Sequence, residues 1–273
     1  MTHRTARRSL KTIAFSSLVC SALCSGCVGT TGGNVVDFDA AAAGPADAHA
    51  GSTLDFTTDS GWQVSLATAR LHVGAVYLED AIPTSGSGAT TCFLPGTYIA
   101  QVTDGLDVDL LSGTPQMFPT RGHGTTLFAG AGQVWLTDGA IDSATQPAVL
   151  TLDGTATLGS DVRPFTASIS ISTSNRLPDS GTSPFADPIC KQRVVSPIPT
   201  DVQIEERGGL LLRIDPRLLF VNVDFSALSL TADGSGYAFS DNSSDQPGTN
   251  LYGNLRSAGR LYTFSWVNDS SPP

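Results

Sequence analysis

Nowhere does this 273-residue chain hold an uncharged apolar run of about twenty residues, the length a helix needs to cross a bilayer. Lysine is nearly missing: Lys11 and Lys191 are the two in the sequence. Beyond the first eleven residues no basic cluster interrupts an acidic composition, and such a surface repels nucleic acid and anionic headgroups. Catalytic signatures are missing too. There is no G-x-S-x-G elbow, no H-E-x-x-H pair, no S-x-x-K and no glycine-rich phosphate loop. Sustained helical periodicity is also scarce. What remains is a glycine- and proline-rich chain, with 28 and 16 of these residues, patterned for strands.

The five cysteines divide by position. Arg4, Arg7, Arg8 and Lys11 form a positive opening, and residues 12–24 (TIAFSSLVCSALC) are apolar or small without a charge. That is the n-region and h-region of an export signal. Ser25 and Gly26 then stand directly before Cys27. The arrangement resembles the lipobox of bacterial lipoproteins and implies a signal peptide over residues 1–26, with palmitate or a similar acyl chain on Cys27. Cys20 and Cys24 belong to the removed peptide, so the C-x-x-C of Cys24 and Cys27 is no redox or zinc motif. Val28 is not the aspartate that retains such proteins at the inner membrane, so the resemblance implies the outer membrane. The leader carries four basic and no acidic residues, which leaves 11 basic against 25 acidic, a net charge of −14. Cys92 and Cys190 remain, and in an oxidising compartment an even pair is expected as a disulfide.

Residues 27–52 read as a flexible tether, with Val35, Val36 and Phe38 as a docking strand at 35–38 in the alternative. Residues 53–273 read as one all-β domain, an antiparallel β-sandwich or, as the second choice, a barrel. In PFTASISIS (164–172) Phe165, Ala167, Ile169 and Ile171 alternate with polar residues. WQVSLA (62–67), TYIAQV (97–102), GLDVDLL (105–111) and RLYTFSWV (260–267) alternate in the same way. Asp104-Gly105, Asp153-Gly154 and Gly208-Gly209 suit hairpin turns. Thr249–Ser257 suits one short helix with Leu251 and Leu255 on its apolar face, and DPRLLF (215–220) a single turn.

Chemistry-bearing residues are few. His123 lies between Gly122 and Gly124, six residues after Met117; His72 shares its strand face with Gly74, Val76 and Leu78. Two imidazoles and a thioether suit copper if His72, His123 and Met117 converge, whereas the bland expectation for His72 is a hydrogen-bonded core or edge histidine. In strand pattern and tryptophan usage the chain resembles the MbnP-like periplasmic copper-binding β-sandwich proteins, which implies the same metal. Asp241, Asn242, Asp245 and Asn250 concentrate oxygen ligands of the kind calcium takes, without EF-hand spacing. The carboxylate pairs Asp107/Asp109 and Glu205/Glu206 read as a wet strand face and a turn. The expectation is a non-catalytic, lipid-anchored envelope module that binds a protein or small ligand and needs no cofactor. A copper- or other divalent-metal-binding protein is the alternative, and a hydrolase of unfamiliar type the third choice.

Overall fold

A computed structural model of the chain describes residues 32–82, 96–176, 192–242 and 244–268. Cys27, Cys92 and Cys190 lie outside the described residues. In chain order the strands are β1 (Val35–Ala43), β2 (Leu54–Thr57), β3 (Gln63–Val73), β4 (Ala75–Glu79), β5 (Tyr98–Val102), β6 (Leu106–Asp109), β7 (Gln116–Met117) and β8 (Gly122–Thr125). They continue with β9 (Phe128–Trp135), β10 (Ala148–Leu158), β11 (Asp161–Ser170), β12 (Val194–Gln203), β13 (Gly209–Ile214), β14 (Ser229–Leu230), β15 (Tyr237–Ala238) and β16 (Tyr262–Val267). One α-helix among the described residues, α1 (Gln246–Leu255), completes an all-β fold.

The strands form two sheets. The larger runs β12-β9-β4-β5-β8-β1-β13-β16, with β7 also paired to β1; the smaller runs β14-β15-β11-β10-β3-β2, with β6 also paired to β3. β12 and β16 lie against each other, so the larger sheet curls into a nearly closed barrel. Most pairings are antiparallel, but β1 runs parallel to β13 and β11 parallel to β15. Alternation in sequence reports which face a side chain takes and carries no information on strand direction, so these two pairings are visible only in the fold.

The expected strands WQVSLA, GLDVDLL, PFTASISIS and RLYTFSWV place Val64, Leu66, Val108, Leu110, Phe165, Ala167, Ile169, Tyr262 and Phe264 in the core. Within residues 27–52, read as a tether with a docking strand at 35–38 as the alternative, the described residues take the strand and extend it to Ala43. Residues 35–43 form a strand in the middle of the larger sheet, so the folded part begins before the boundary at 53. Phe38, Ala40 and Ala42 face the main core, while Ala41 and Ala43 pack with Leu211 and Val267 in a second small cluster. Alanine has poor strand propensity, which disguises the segment. Its size is what the narrow interior uses, for Ala40 to Ala43 are each at most 2% exposed.

The glycine pairs also act differently from the expectation. Gly154 lies inside β10 at a register shift opposite β3, where a Cβ would stand 2.6 Å from the Ser65 carbonyl oxygen; the turn itself comes later, at Gly159 with φ +60°. Gly208, at φ +113°, joins strands that are not hydrogen-bonded neighbours, so it makes no hairpin. In β5 the alternation breaks, because Tyr98 is exposed while Ile99, Ala100 and Val102 are all buried, opposite a register shift in β4. The helix is as expected: Asp245 caps it by accepting from Gly248 N at 2.7 Å, and Leu251 and Leu255 are buried.

Candidate functional site

His72 and Asp107 are direct cross-strand partners on β3 and β6, so their side chains rise from the same face. Imidazole Nδ1 is 2.7 Å from Asp107 Oδ1, and Nε2 is 2.9 Å from Asp138 Oδ1. Asp138 is delivered by the segment after β9. Gly74 N donates to Trp135 O at 2.7 Å, and the missing side chain of Gly74 lets the Thr137 backbone approach β3. Leu136 N donates to Arg193 O at 2.7 Å, and Arg193 donates to Gly139 O, which fixes the loop from the other side. Burial opposes protonation of His72, but the Asp107 and Asp138 carboxylates, as hydrogen-bond acceptors and negative charges, outweigh it, and the imidazole pKa is raised above the ordinary 6.5. The His72 side chain is 22% exposed, whereas both carboxylates stand largely in water.

These groups edge a cavity of about 560 Å³ whose remaining walls include Asp142, Leu136, Pro147 and Val149. Its size falls in the range of small-ligand sites, and its lining is mixed, polar and charged groups alternating with apolar ones. Three carboxylates against one imidazole leave it negative. Gly105 closes in on the pair: a methyl on its Cα would overlap the Asp138 carboxylate and stand 3.0 Å from His72 Cε1. Gly105→Ala is therefore expected to push Asp138 aside and lower the His72 pKa. An NMR pH titration of the imidazole checks this; an unchanged midpoint contradicts the role assigned to Asp138.

His123 is elsewhere. It sits on β8 in the larger sheet, opposite Asp37 of β1 and Gln101 of β5, with Nδ1 2.8 Å from Asp37 Oδ1. Met117 pairs with Ala41, four residues farther along β1, which places it roughly 13 Å from the His123 position at about 3.3 Å per residue. A single copper ion, about 2 Å from each ligand, is not shared across that gap. His72 belongs to the other sheet and is engaged by its own two carboxylates. The expected ligand set of His72, His123 and Met117 is thus not brought together. Among the described residues no three His, Cys, Asp or Glu side chains form a metal-holding group.

The oxygen-rich loop expected for calcium is also otherwise occupied. Asp241 accepts from Ser170 N at 2.9 Å and Asn175 Nδ2 at 2.8 Å and pairs with Arg176 at 3.0 Å. Asp245 is the helix cap, Asn242 accepts from Ser244 N at 3.0 Å, and Asn250 donates to Asn222 O at 2.5 Å. Each group ties chain to chain, so the loop is a structural brace and not a preformed ion cage.

One cluster has no signal in the sequence. Glu79, fully buried, accepts from buried Gln133 through Oε1, and its Oε2 has no partner among the described residues. Beside it on the sheet Tyr77 packs edge-on against Tyr98 and at a tilt against Trp135, at 5.4 and 5.3 Å between ring centroids. Burial, with the neighbouring Asp80 charge adding to it, outweighs the hydrogen bond from Gln133 and pushes the Glu79 pKa up to about 7. In VYLED the residue reads as the polar end of a strand, and nothing local shows that it is covered.

No family model matches the chain, and no curated protein matches it. Among solved structures it is similar to "MbnP from Methylosinus trichosporium", at 12% identity and a TM-score of 0.40, covering 85% of this chain and 98% of that one. This neighbour is of the kind the sequence resembles.

Proposed function

We propose that the protein is a non-catalytic binding module of the bacterial envelope, held at the outer membrane by a lipid on Cys27, whose site is the acidic cavity beside His72. The observation that carries the reading is the cavity itself: Asp107, Asp138 and Asp142 line one pocket together with the His72 imidazole, beside the apolar side chains of Leu136, Pro147 and Val149. Such a pocket selects a small ligand with a cationic group, an amine or guanidinium, that can replace water between the carboxylates. His72 is poorly set for nucleophilic catalysis. Both ring nitrogens face carboxylates, whereas a Ser-His-Asp arrangement needs one of them on a hydroxyl.

Calorimetric titration with agmatine, which carries both cationic groups, tests the site. Saturable binding to the parent is expected, with at least a several-fold loss in Asp138→Asn/Asp142→Asn. Both positions are exposed, so the variant is expected to fold; equal binding by parent and variant rejects the cavity. A second reading, a divalent metal, is favoured by one detail. Asp107 holds Nδ1 as outer carboxylates do for metal-bound histidines, leaving Nε2 and Asp138 Oδ1 2.9 Å apart as two ligands of one ion. Copper or zinc binding lost in His72→Ala, but kept in His123→Ala, would select it.

The anchor is tested separately. Metabolic labelling with a fatty-acid analogue is expected to mark the parent and not Cys27→Ser, and equal labelling of both rejects the lipoprotein reading. Cys92 and Cys190 are proposed to be paired, so alkylation of the unreduced, denatured protein is expected to modify neither.

A further inference from the structure

The larger sheet carries an apolar rim at the end where β1 begins. Four of the eight large hydrophobic side chains that are exposed among the described residues lie there: Val35 at 63%, Phe128 at 51%, Ile82 and Tyr98. The topology brings them together. Asn34 O accepts from Thr126 N at 2.9 Å, two residues before Phe128, and Asn34 Nδ2 donates to Glu206 at 2.9 Å. Gly130 N donates to Asp80 O at 3.3 Å, which sets the segment leading to Ile82 beside β9, and Tyr98 pairs with Glu79 at the end of β4.

Cys27 precedes Val35 by eight residues. Fully extended, those residues span at most roughly 28 Å, at about 3.3–3.6 Å each. A lipid on Cys27 therefore keeps this end of the sheet within roughly 28 Å of the bilayer. We infer that the rim of Val35, Phe128, Ile82 and Tyr98 rests on the lipid surface to which the chain is anchored. This rests on the lipoprotein reading of Cys27. Tyrosine suits the headgroup boundary, where its apolar ring and polar tip are both accommodated, and phenylalanine, valine and isoleucine supply apolar surface to the acyl side of it. Asp80, Glu205 and Glu206 are exposed near the same end, with Arg207 the neighbouring cation. That charge favours zwitterionic lipid over anionic lipid.

The test is hydrogen exchange of the mature acylated chain on phosphatidylcholine vesicles, compared with the soluble Cys27→Ser form. Exchange at residues 34–36 and 125–129 is expected to slow several-fold on vesicles, while the β10–β11 turn at 158–162, in the other sheet, keeps its rate. Val35→Ser/Phe128→Ser removes two side chains that are more than half exposed, so it is expected to fold and, being acylated, to float with the vesicles while losing the protection. Adding anionic phosphatidylglycerol is expected to reduce the protection. A chain that floats with vesicles but exchanges at the rim as in solution overturns the proposal and leaves the anchor intact. A chain that carries no acyl group and does not float removes the premise and overturns both.

Discussion

Glu79→Gln raises the free energy of unfolding by about 3 kcal/mol near pH 8 and leaves it nearly unchanged near pH 5. The carboxyl has an ordinary value of 4.5 and is pushed to about 7 in the fold, and each unit is worth about 1.4 kcal/mol. The native state holds a proton that the unfolded chain has released, so stability is full below 4.5 and is lost as pH rises toward 7. Above that, the parent carries a buried carboxylate beside Gln133 with one oxygen lacking a hydrogen-bond partner among the described residues. The amide of glutamine imitates the protonated acid and does not titrate. Chemical denaturation of parent and variant at the two pH values checks this, and an equal difference at both contradicts it. His72 adds a later loss of the same sign. Its folded pKa is raised above 6.5, so its contribution is present below that value and fades as pH climbs through the folded value.

Phe225→Ala lowers stability by about 3–5 kcal/mol, the cost of emptying a large aromatic site that cannot collapse. Phe225 is fully buried and touches four rings: Phe220, stacked at 5.6 Å, Phe165 at 5.3 Å, Phe239 at 6.0 Å and Trp62 at 5.5 Å. The cluster joins β11 to the segment between β13 and β14, where Asp215 caps the short turn at Pro216–Phe220 and Asp224 caps the next one at Phe225–Ala227. Leu230→Ala, at an exposed edge position, is the control and changes stability by less than about 0.5 kcal/mol. Equal effects of the two substitutions in denaturant titrations contradict the packing described.

What the sequence discloses and what it hides follow one physical line. Strands with a wet and a dry face announce themselves, as Phe165, Ala167 and Ile169 do, because the period of two is imposed by burial on one side. The first half of β1 is legible in Val35, Val36 and Phe38, but its second half hides because the buried residues there are alanines and both faces are covered. Gly105 and Gly154 look like turn residues, yet each is glycine because another group comes too close for a side chain. His72 is legible as a hydrogen-bonded edge histidine, and Asp107 as the wet face of its strand. Their partnership with Asp138, which lies 66 residues from His72, is a property of strand order. The convergence required of His72, His123 and Met117 fails for the same reason, since the three are set on two sheets and spaced along β1.

The claim that the cavity beside His72 is the binding site is tested most directly by an NMR titration of the purified chain with agmatine and, separately, with zinc. The account predicts saturable shifts of the backbone amides of residues 136–142 and of the His72 ring nitrogens, with His123 and residues 36–38 unmoved. Shifts centred on His123, or none at residues 136–142 with either probe, would contradict it.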